Sequence, residues 1–374
     1  MSTHLSRGMA QATALTRSGK LDEATALIQS LLRPSVPMTE TNDIIEGDFV
    51  RLDAPQTARP TAARPRRPLA ETLSKIAAGN MPHRAQPGAA PPTPSGALFL
   101  TLTHTSAGAS RDYRLYVPAK RGQAPMPLII MLHGCTQTAD DFAAGTGMND
   151  AAEVFGCLVA YPAQPSGANM QKCWNWYRPE DQGRGQGEPA LIAGLARDIQ
   201  RDHGGDPERT YVAGLSAGGA AAVLVAAAYP DVFAAVGVHS GLPAGGAHDI
   251  PSAFAAMRSG TKTKPHPNPV PTIVFHGTDD RTVHPDNGKA VLSQALGAMP
   301  GLTVRASAGV ATGGRRYRTT THSNAAGRSL AEHWEIEGAG HAWAGGNPTG
   351  SYTDATGPDA THQMVRFFLQ HRRA

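Results

Sequence analysis

The feature that most constrains this chain is a continuous apolar run, PLIIMLHG at 127–134. A strand apolar at every position must be covered on both faces, which places it inside a parallel sheet rather than at a half-wet antiparallel edge. Shorter runs of the same kind recur at 158–161, 210–213, 233–238 and 272–276. Helix-length segments separate them at 140–155, 190–202, 216–228 and 286–297, and a last one follows at 358–371. Strands spaced by helices need crossover connections, so the reading is a mostly parallel sheet with helices on both faces, a three-layer α/β sandwich. Two alternating segments, LFLTLTH (98–104) and YRLYVP (113–118), read as strands that precede this core.

The remainder of the chain differs in character. Over residues 1–33 the apolar positions Leu21, Ala24, Leu27, Ile28 and Leu31 share a helical face, which predicts a short helical segment resembling half of a helical repeat. Residues 34–96 run through RPTAARPRRP and PHRAQPGAAPPTP, where closely spaced prolines forbid regular structure and predict a disordered linker. The α/β domain is expected over 97–374, a length that suits one large domain with an appendage.

Charge and cysteine content exclude several functions. Residues 97–374 carry 23 Lys and Arg against 22 Asp and Glu, so nothing electrostatic points to nucleic acid. No window approaches 18 apolar residues, which argues against a membrane span. The N-terminus lacks the apolar core of a secretory signal, and the compartment, exported or cytoplasmic, stays open. Cys135, Cys157 and Cys173 match no metal-binding spacing, so no metal is expected. Their odd number leaves room for one bridge, and whether Cys135 and Cys173 form it is undecided at this level.

The sharpest local signal is GLSAG at 214–218, between a strand-like and a helix-like segment. A GxSxG turn in that context forces its serine into a strained conformation and lifts the hydroxyl out at the end of a sheet, with small neighbours avoiding collision. Ser216 is therefore the candidate nucleophile; the competing reading is an N-cap serine on a glycine-rich helix. A serine hydroxyl needs an imidazole to take its proton and a carboxylate to orient that imidazole. In this architecture the acid and then the histidine follow the serine along the chain. After the strand at 272–276 comes GTDDRTV, where the spacing GxxDxxV selects Asp280 over Asp279, read as a solvated turn carboxylate or a cap. The histidine candidate is His341 in GAGHAWAGG, where glycines allow a loop to reach the serine. Its neighbour Trp343 is a candidate wall of the acyl pocket. His276 and His284 are read as a hydrogen-bonded loop histidine and a surface histidine.

Two main-chain N–H groups would stabilise an oxyanion: that of Ala217, at the start of the helix after the serine, and that of Cys135, after the strand ending His133-Gly134. A nucleophilic Cys135 is the rival reading, without a Cys–His signature to support it. Trp174 and Trp176 crowd into KCWNWYRPEDQGRG and are candidate substrate-binding rings; equally, they could cover the sheet edge.

The segments LHGCTQTADDFAAGTGMN, AYPAQPSGANMQKCWNWYRPEDQGRGQGEPALIAG, YVAGLSAGGAAA, FHGTDDRTVHP and GHAWAGG resemble the poly(3-hydroxybutyrate) depolymerase family of esterases. The resemblance spans about 97–371 and implies an α/β-hydrolase fold and a serine esterase, with Ser216, Asp280 and His341 as triad, Cys135 and Ala217 at the oxyanion hole, and neither metal nor organic cofactor. The substrate it implies is a hydroxyalkanoate oligomer or polymer. Secreted polymer-degrading members typically carry a signal peptide and a further polymer-binding module, whereas this chain ends at Ala374 soon after its last expected helix, which shifts the expectation towards short or amorphous oligoesters. Feruloyl and acetylxylan esterases share the same machinery, and an acylated sugar is the alternative substrate. A reading of another class is a non-catalytic adaptor or granule-binding protein.

Overall fold

The computed structural model describes residues 90–106, 109–262, 264–266, 269–297 and 300–373. The helical segment expected over 1–33 lies outside these residues, as does the linker expected over 34–96 apart from its last positions.

A ten-stranded sheet organises the described chain. Its strands are β1 (Leu98–Ser106), β2 (Ala109–Val117), β3 (Met126–Leu132), β4 (Leu158–Pro162), β5 (Gly205–Leu215), β6 (Ala235–His239), β7 (Thr272–Gly277), β8 (Thr303–Val310), β9 (Arg316–Ser323) and β10 (Ser329–Ile336). They lie in the order β1-β2-β4-β3-β5-β6-β7-β10-β9-β8. The six from β4 to β10 are mutually parallel. Antiparallel pairs extend the sheet at both ends, β1 with β2 and β2 with β4 on one side, β10 with β9 and β9 with β8 on the other. A two-stranded parallel pair, β11 (Trp343–Ala344) and β12 (Thr353–Asp354), stands apart.

The helices are α1 (Ala139–Thr146), α2 (Met148–Phe155), α3 (Gly187–His203), α4 (Ala217–Ala228), α5 (Ile250–Ser259), α6 (Asp286–Leu296) and α7 (Ala360–Phe368). The single helix expected over 140–155 is two, because Gly147 adopts φ 62° and ends α1 in the left-handed conformation that glycine tolerates. Side chains alternate across the central parallel strands. Ile129, Met131, Tyr211, Ala213, Ile273 and Phe275 enter one core with residues of α1, α2 and α7. Leu128, Ile130, Leu132, Val212, Val236 and Val274 enter the opposite core with residues of α3, α4 and α6. The central stretches of these strands are thus apolar because both of their faces are buried. The layering is the α/β-hydrolase sandwich.

Five elements were not anticipated: β8 and β9, which form a hairpin, helix α5, and the paired β11 and β12. Every residue of β8 but one is exposed, so no burial imposes an apolar alternation on it. Helix α5 is set by a capping box between Asp249 and Ser252 and buries only Ala253 and Ala256.

From β3 the chain proceeds to β4 on one side, and α3 then carries it to β5 on the other side of β3. This reversal opens a crevice at the carboxyl ends of β3 and β5, where sheets of this kind bind ligands.

Candidate active site

The crevice is built around the bend after β5. Ser216 has φ 58° and ψ −120°, a conformation costly for any residue but glycine, and α4 starts at the next position. The sharpness of the bend depends on its glycines. A Cβ on Gly214 would sit 2.4 Å from the main chain of Gly218, and one on Gly218 would sit 2.0 Å from the Leu132 carbonyl oxygen. The Ser216 N–H donates to the His239 carbonyl at 2.9 Å, which fixes the bend to the end of β6. Although Ser216 stands at the N-cap position, its hydroxyl makes no cap hydrogen bond, contrary to what a purely structural cap serine would do.

The acid and the histidine come from the next strands along the sheet. Asp280 follows β7, and its carboxylate is fully enclosed. Its Oδ1 accepts the main-chain N–H groups of Thr282 and Val283, both at 2.9 Å, and its Oδ2 accepts His341 Nδ1 at 2.7 Å. His276 Nε2 donates to the Val283 carbonyl at 2.9 Å and lies 3.4 Å from the same Oδ2. Burial alone would raise the Asp280 carboxyl, but the hydrogen bonds from His276, His341 and the Val283 main chain outweigh it and hold the group well below the usual carboxylate range. Asp279 is an exposed turn residue whose N–H binds the Ala339 carbonyl at 3.0 Å. His341 itself keeps an opening to solvent, its side chain being 12% exposed. His284 is exposed beside Asp286.

On the other wall of the crevice, the position of Gly134 places its would-be Cβ 3.7 Å from Ser216 Cβ. Among the described residues neither the Cys135 N–H nor the Ala217 N–H is taken by a hydrogen bond. The loop after β3 is held from several directions. Gln137 Oε1 accepts the Gly134 N–H at 2.9 Å, while its Nε2 donates to Asp141 at 2.9 Å. Thr136 has φ 67°, an outlier for a β-branched residue, and its N–H is anchored on the Gln171 carbonyl at 2.7 Å. Cys135 is joined to Cys173 by a disulfide, which ties this loop to the segment bearing the tryptophans. That segment is fastened in turn by Glu188, which accepts the Asn175 N–H at 2.8 Å, and by Gln164, which donates to the Cys173 carbonyl at 2.9 Å. The third cysteine, Cys157, is free and buried, and burial pushes its thiol up to about 12. No cysteine is thereby available as a nucleophile among the described residues.

Two of the tryptophans expected at the pocket are not there. Trp174 is fully buried; its indole N–H donates to the His133 carbonyl at 3.1 Å and the guanidinium of Arg111 lies over its ring. Trp343 is buried too, with its N–H on Thr361 Oγ1 at 3.0 Å and its ring edge-on to Phe142. Both are core residues whose polar handle is satisfied internally, and neither presents a face to a ligand. Trp176 is also buried and packs in a small cluster with Ala217, Leu242 and Val283. His276, read as a hydrogen-bonded loop histidine, is hydrogen-bonded but lies within β7 beside Asp280, whereas His239 was missed from the sequence, one of 15 histidines with no spacing to single it out. Among the described residues no group of His, Cys, Asp and Glu could hold a metal ion, and no helix is long and apolar enough to cross a membrane.

Comparison with known proteins agrees with this picture. The family model described as "Esterase PHB depolymerase" matches residues 111–321, a stretch that contains Cys135, Ser216 and Asp280 and stops before His341. The poly(3-hydroxyalkanoate) depolymerase C of Paucimonas lemoignei is 35% identical over 232 residues, covering 58% of this chain and 55% of that protein. Feruloyl esterase B of Thermothelomyces thermophilus is 36% identical over 140 residues, covering 37% of this chain and 47% of that protein. The chain thus spans about half the length of these relatives. Among solved structures, an acetyl xylan esterase from Aspergillus awamori aligns with TM-score 0.59 and 20% identity over 73% of this chain and 99% of its own, a likeness of fold. With more than half of its length matched by the family model, the chain belongs to the PHB depolymerase family of esterases.

Proposed function

We propose that this protein is a serine ester hydrolase acting on poly- or oligo(3-hydroxybutyrate)-type polyesters. The observation that carries the proposal is the 2.7 Å hydrogen bond from His341 to a buried Asp280, both following the carboxyl ends of the parallel strands, as does a serine held in a strained bend. In the first step Ser216 Oγ attacks the ester carbonyl carbon and its proton passes to His341 Nε2, while Asp280 stabilises the imidazolium. The carbonyl oxygen becomes an oxyanion facing the free N–H groups of Cys135 and Ala217, a preorganised arrangement that needs no rearrangement as charge develops. Collapse breaks the bond to the alcohol oxygen, which takes the proton from His341 and leaves an acyl-serine. Water then attacks the acyl carbon, gives its proton to His341, and the serine recovers that proton as the acid departs. Trp176, which packs in one cluster with Ala217, is the ring we assign to the wall nearest the bound acyl group.

The relative named a depolymerase favours a hydroxyalkanoate ester, and the one named a feruloyl esterase favours an acylated sugar as the second reading. Turnover of 3-hydroxybutyrate oligomers, feruloylated and acetylated sugars by the purified protein separates the two. Labelling of Ser216 by a fluorophosphonate, absent in Ser216→Ala, tests the chemistry itself; a wild-type protein that stays unlabelled is an adaptor and not a hydrolase.

A further inference from the structure

The strand between those bearing the serine and the acid ends in a histidine to which the reaction as written gives no role. His239 is fully buried at the end of β6, in register with Leu215 of β5 and Phe275 of β7. Its carbonyl takes the Ser216 N–H at 2.9 Å. Its ring faces the other way along the crevice, where Nε2 lies 3.0 Å from the Ala344 N–H, three residues beyond His341. A main-chain N–H can only donate, so Nε2 carries no proton, and Nδ1–H is left to donate to Ser240 Oγ at 3.2 Å. The ring is stacked on Phe275, with centroids 5.8 Å apart, and on Trp343, at 5.2 Å.

One residue therefore holds both halves of the charge-transfer pair: its main chain holds the serine bend and its side chain holds the loop that carries the imidazole. We propose that His239 is a positioning residue that sets the distance between Ser216 and His341, acting through a single fixed tautomer. The inference rests on the hydrolase reading above and goes beyond it. Burial, with His276 and His341 close by, pushes the His239 ring down to about 3, so the acceptor nitrogen stays free across the neutral range. A misplacement of about 1 Å between reacting groups can cost on the order of 100-fold in rate, so losing this one acceptor should be visible in turnover.

The test compares wild type with His239→Phe, which keeps a stacking ring but removes the acceptor, and with His239→Gln, whose amide oxygen can accept from Ala344. Hydrolysis of p-nitrophenyl butyrate is measured for each, together with thermal melting and fluorophosphonate labelling. In His239→Phe kcat should fall about 10- to 100-fold with KM changed less than about twofold, and His239→Gln should recover at least threefold of the loss. Equal kcat in wild type and His239→Phe overturns the proposal, as does an equal loss in both variants, which is the mark of mere packing. Should His239→Phe fail to fold, 15N shifts of the histidines in wild type decide instead: a neutral Nδ1–H tautomer is required, and Nε2–H or rapid exchange refutes it. A wild type that neither labels nor hydrolyses removes the hydrolase reading, and this role with it.

Discussion

Replacing Asp280 by asparagine changes one atom, and the surroundings dictate where the new NH2 must go. Oδ1 accepts two main-chain N–H groups, from Thr282 and Val283, at 2.9 Å each. An NH2 placed there would face two donors, so the amide oxygen keeps that position and the NH2 turns towards His341 Nδ1. The imidazole must then accept at Nδ1 and carry its proton on Nε2, where it can no longer take the serine proton. The wrong tautomer in a geometrically intact triad costs about 10⁴ in turnover, or about 5 kcal/mol of transition-state stabilisation. The measurement is kcat and KM on a soluble p-nitrophenyl ester, with active serines counted by fluorophosphonate titration. KM should stay within about threefold, since the substrate is not touched. Stability moves as well. The folded state holds the Asp280 carboxyl below its ordinary value near 3.8, so the folded chain binds fewer protons there than the unfolded one. The stabilisation is complete above that ordinary value and is lost as pH falls through the lower, folded one. Asp280→Asn should therefore be less stable at neutral pH and show a flatter acid limb in its unfolding profile. Retention of more than a tenth of wild-type kcat would refute the orienting role.

Gly218→Ala should disrupt the bend itself. The added Cβ would lie 2.0 Å from the Leu132 oxygen and 2.6 Å from the His133 oxygen, both main-chain atoms that cannot rotate away. We expect a loss of about 3 kcal/mol in urea unfolding, at the upper end for overpacking, together with loss of activity. A variant within about 1 kcal/mol of wild type and fully active contradicts the steric argument. Reducing the Cys135–Cys173 bond, or Cys173→Ser, should loosen the loop that aims the Cys135 N–H and lower kcat about tenfold, less than the cost of deleting an oxyanion donor. The bridge closes a loop of 38 residues, for which chain entropy gives about 4 kcal/mol, so the melting temperature should fall too. Unchanged kcat in a reduced and folded enzyme means that Gln137 and Thr136 suffice to hold the loop.

The parallel core was legible because burial on both faces leaves few polar positions in its strands: β3 (MPLIIML) has none, and β7 (TIVFHG) is polar only towards its two ends. β8, read as TVRASAGV, was not, because a strand exposed along its length is under no such constraint. α5 could have been found from Asp249 and Ser252, since a capping box with a proline in the first turn is a local signal. Within the site, Ser216 and Asp280 announce themselves through short spacings that reflect tight turns. The tryptophans misled because a sequence shows a large ring near glycines but not whether its N–H finds a partner inside. Trp174 finds the His133 carbonyl and Trp343 finds Thr361. His239 was invisible for a related reason: the N–H its ring accepts lies 105 residues away, and only the folded sheet brings the two together.

The succession of strands that supplies the crevice also decides when the molecule can work. Ser216, Asp280 and His341 follow β5, β7 and β10, and β10 is the last strand of the large sheet along the chain. Until β10 has paired with β7, the imidazole has no fixed address, however complete the helices are. Non-local pairings such as this one, and the still more distant pairing of β3 with β5 ahead of the serine bend, are slow to form. Ester turnover during refolding is therefore a late clock: helical circular dichroism should recover first, and catalysis should appear only with the closing step of assembly.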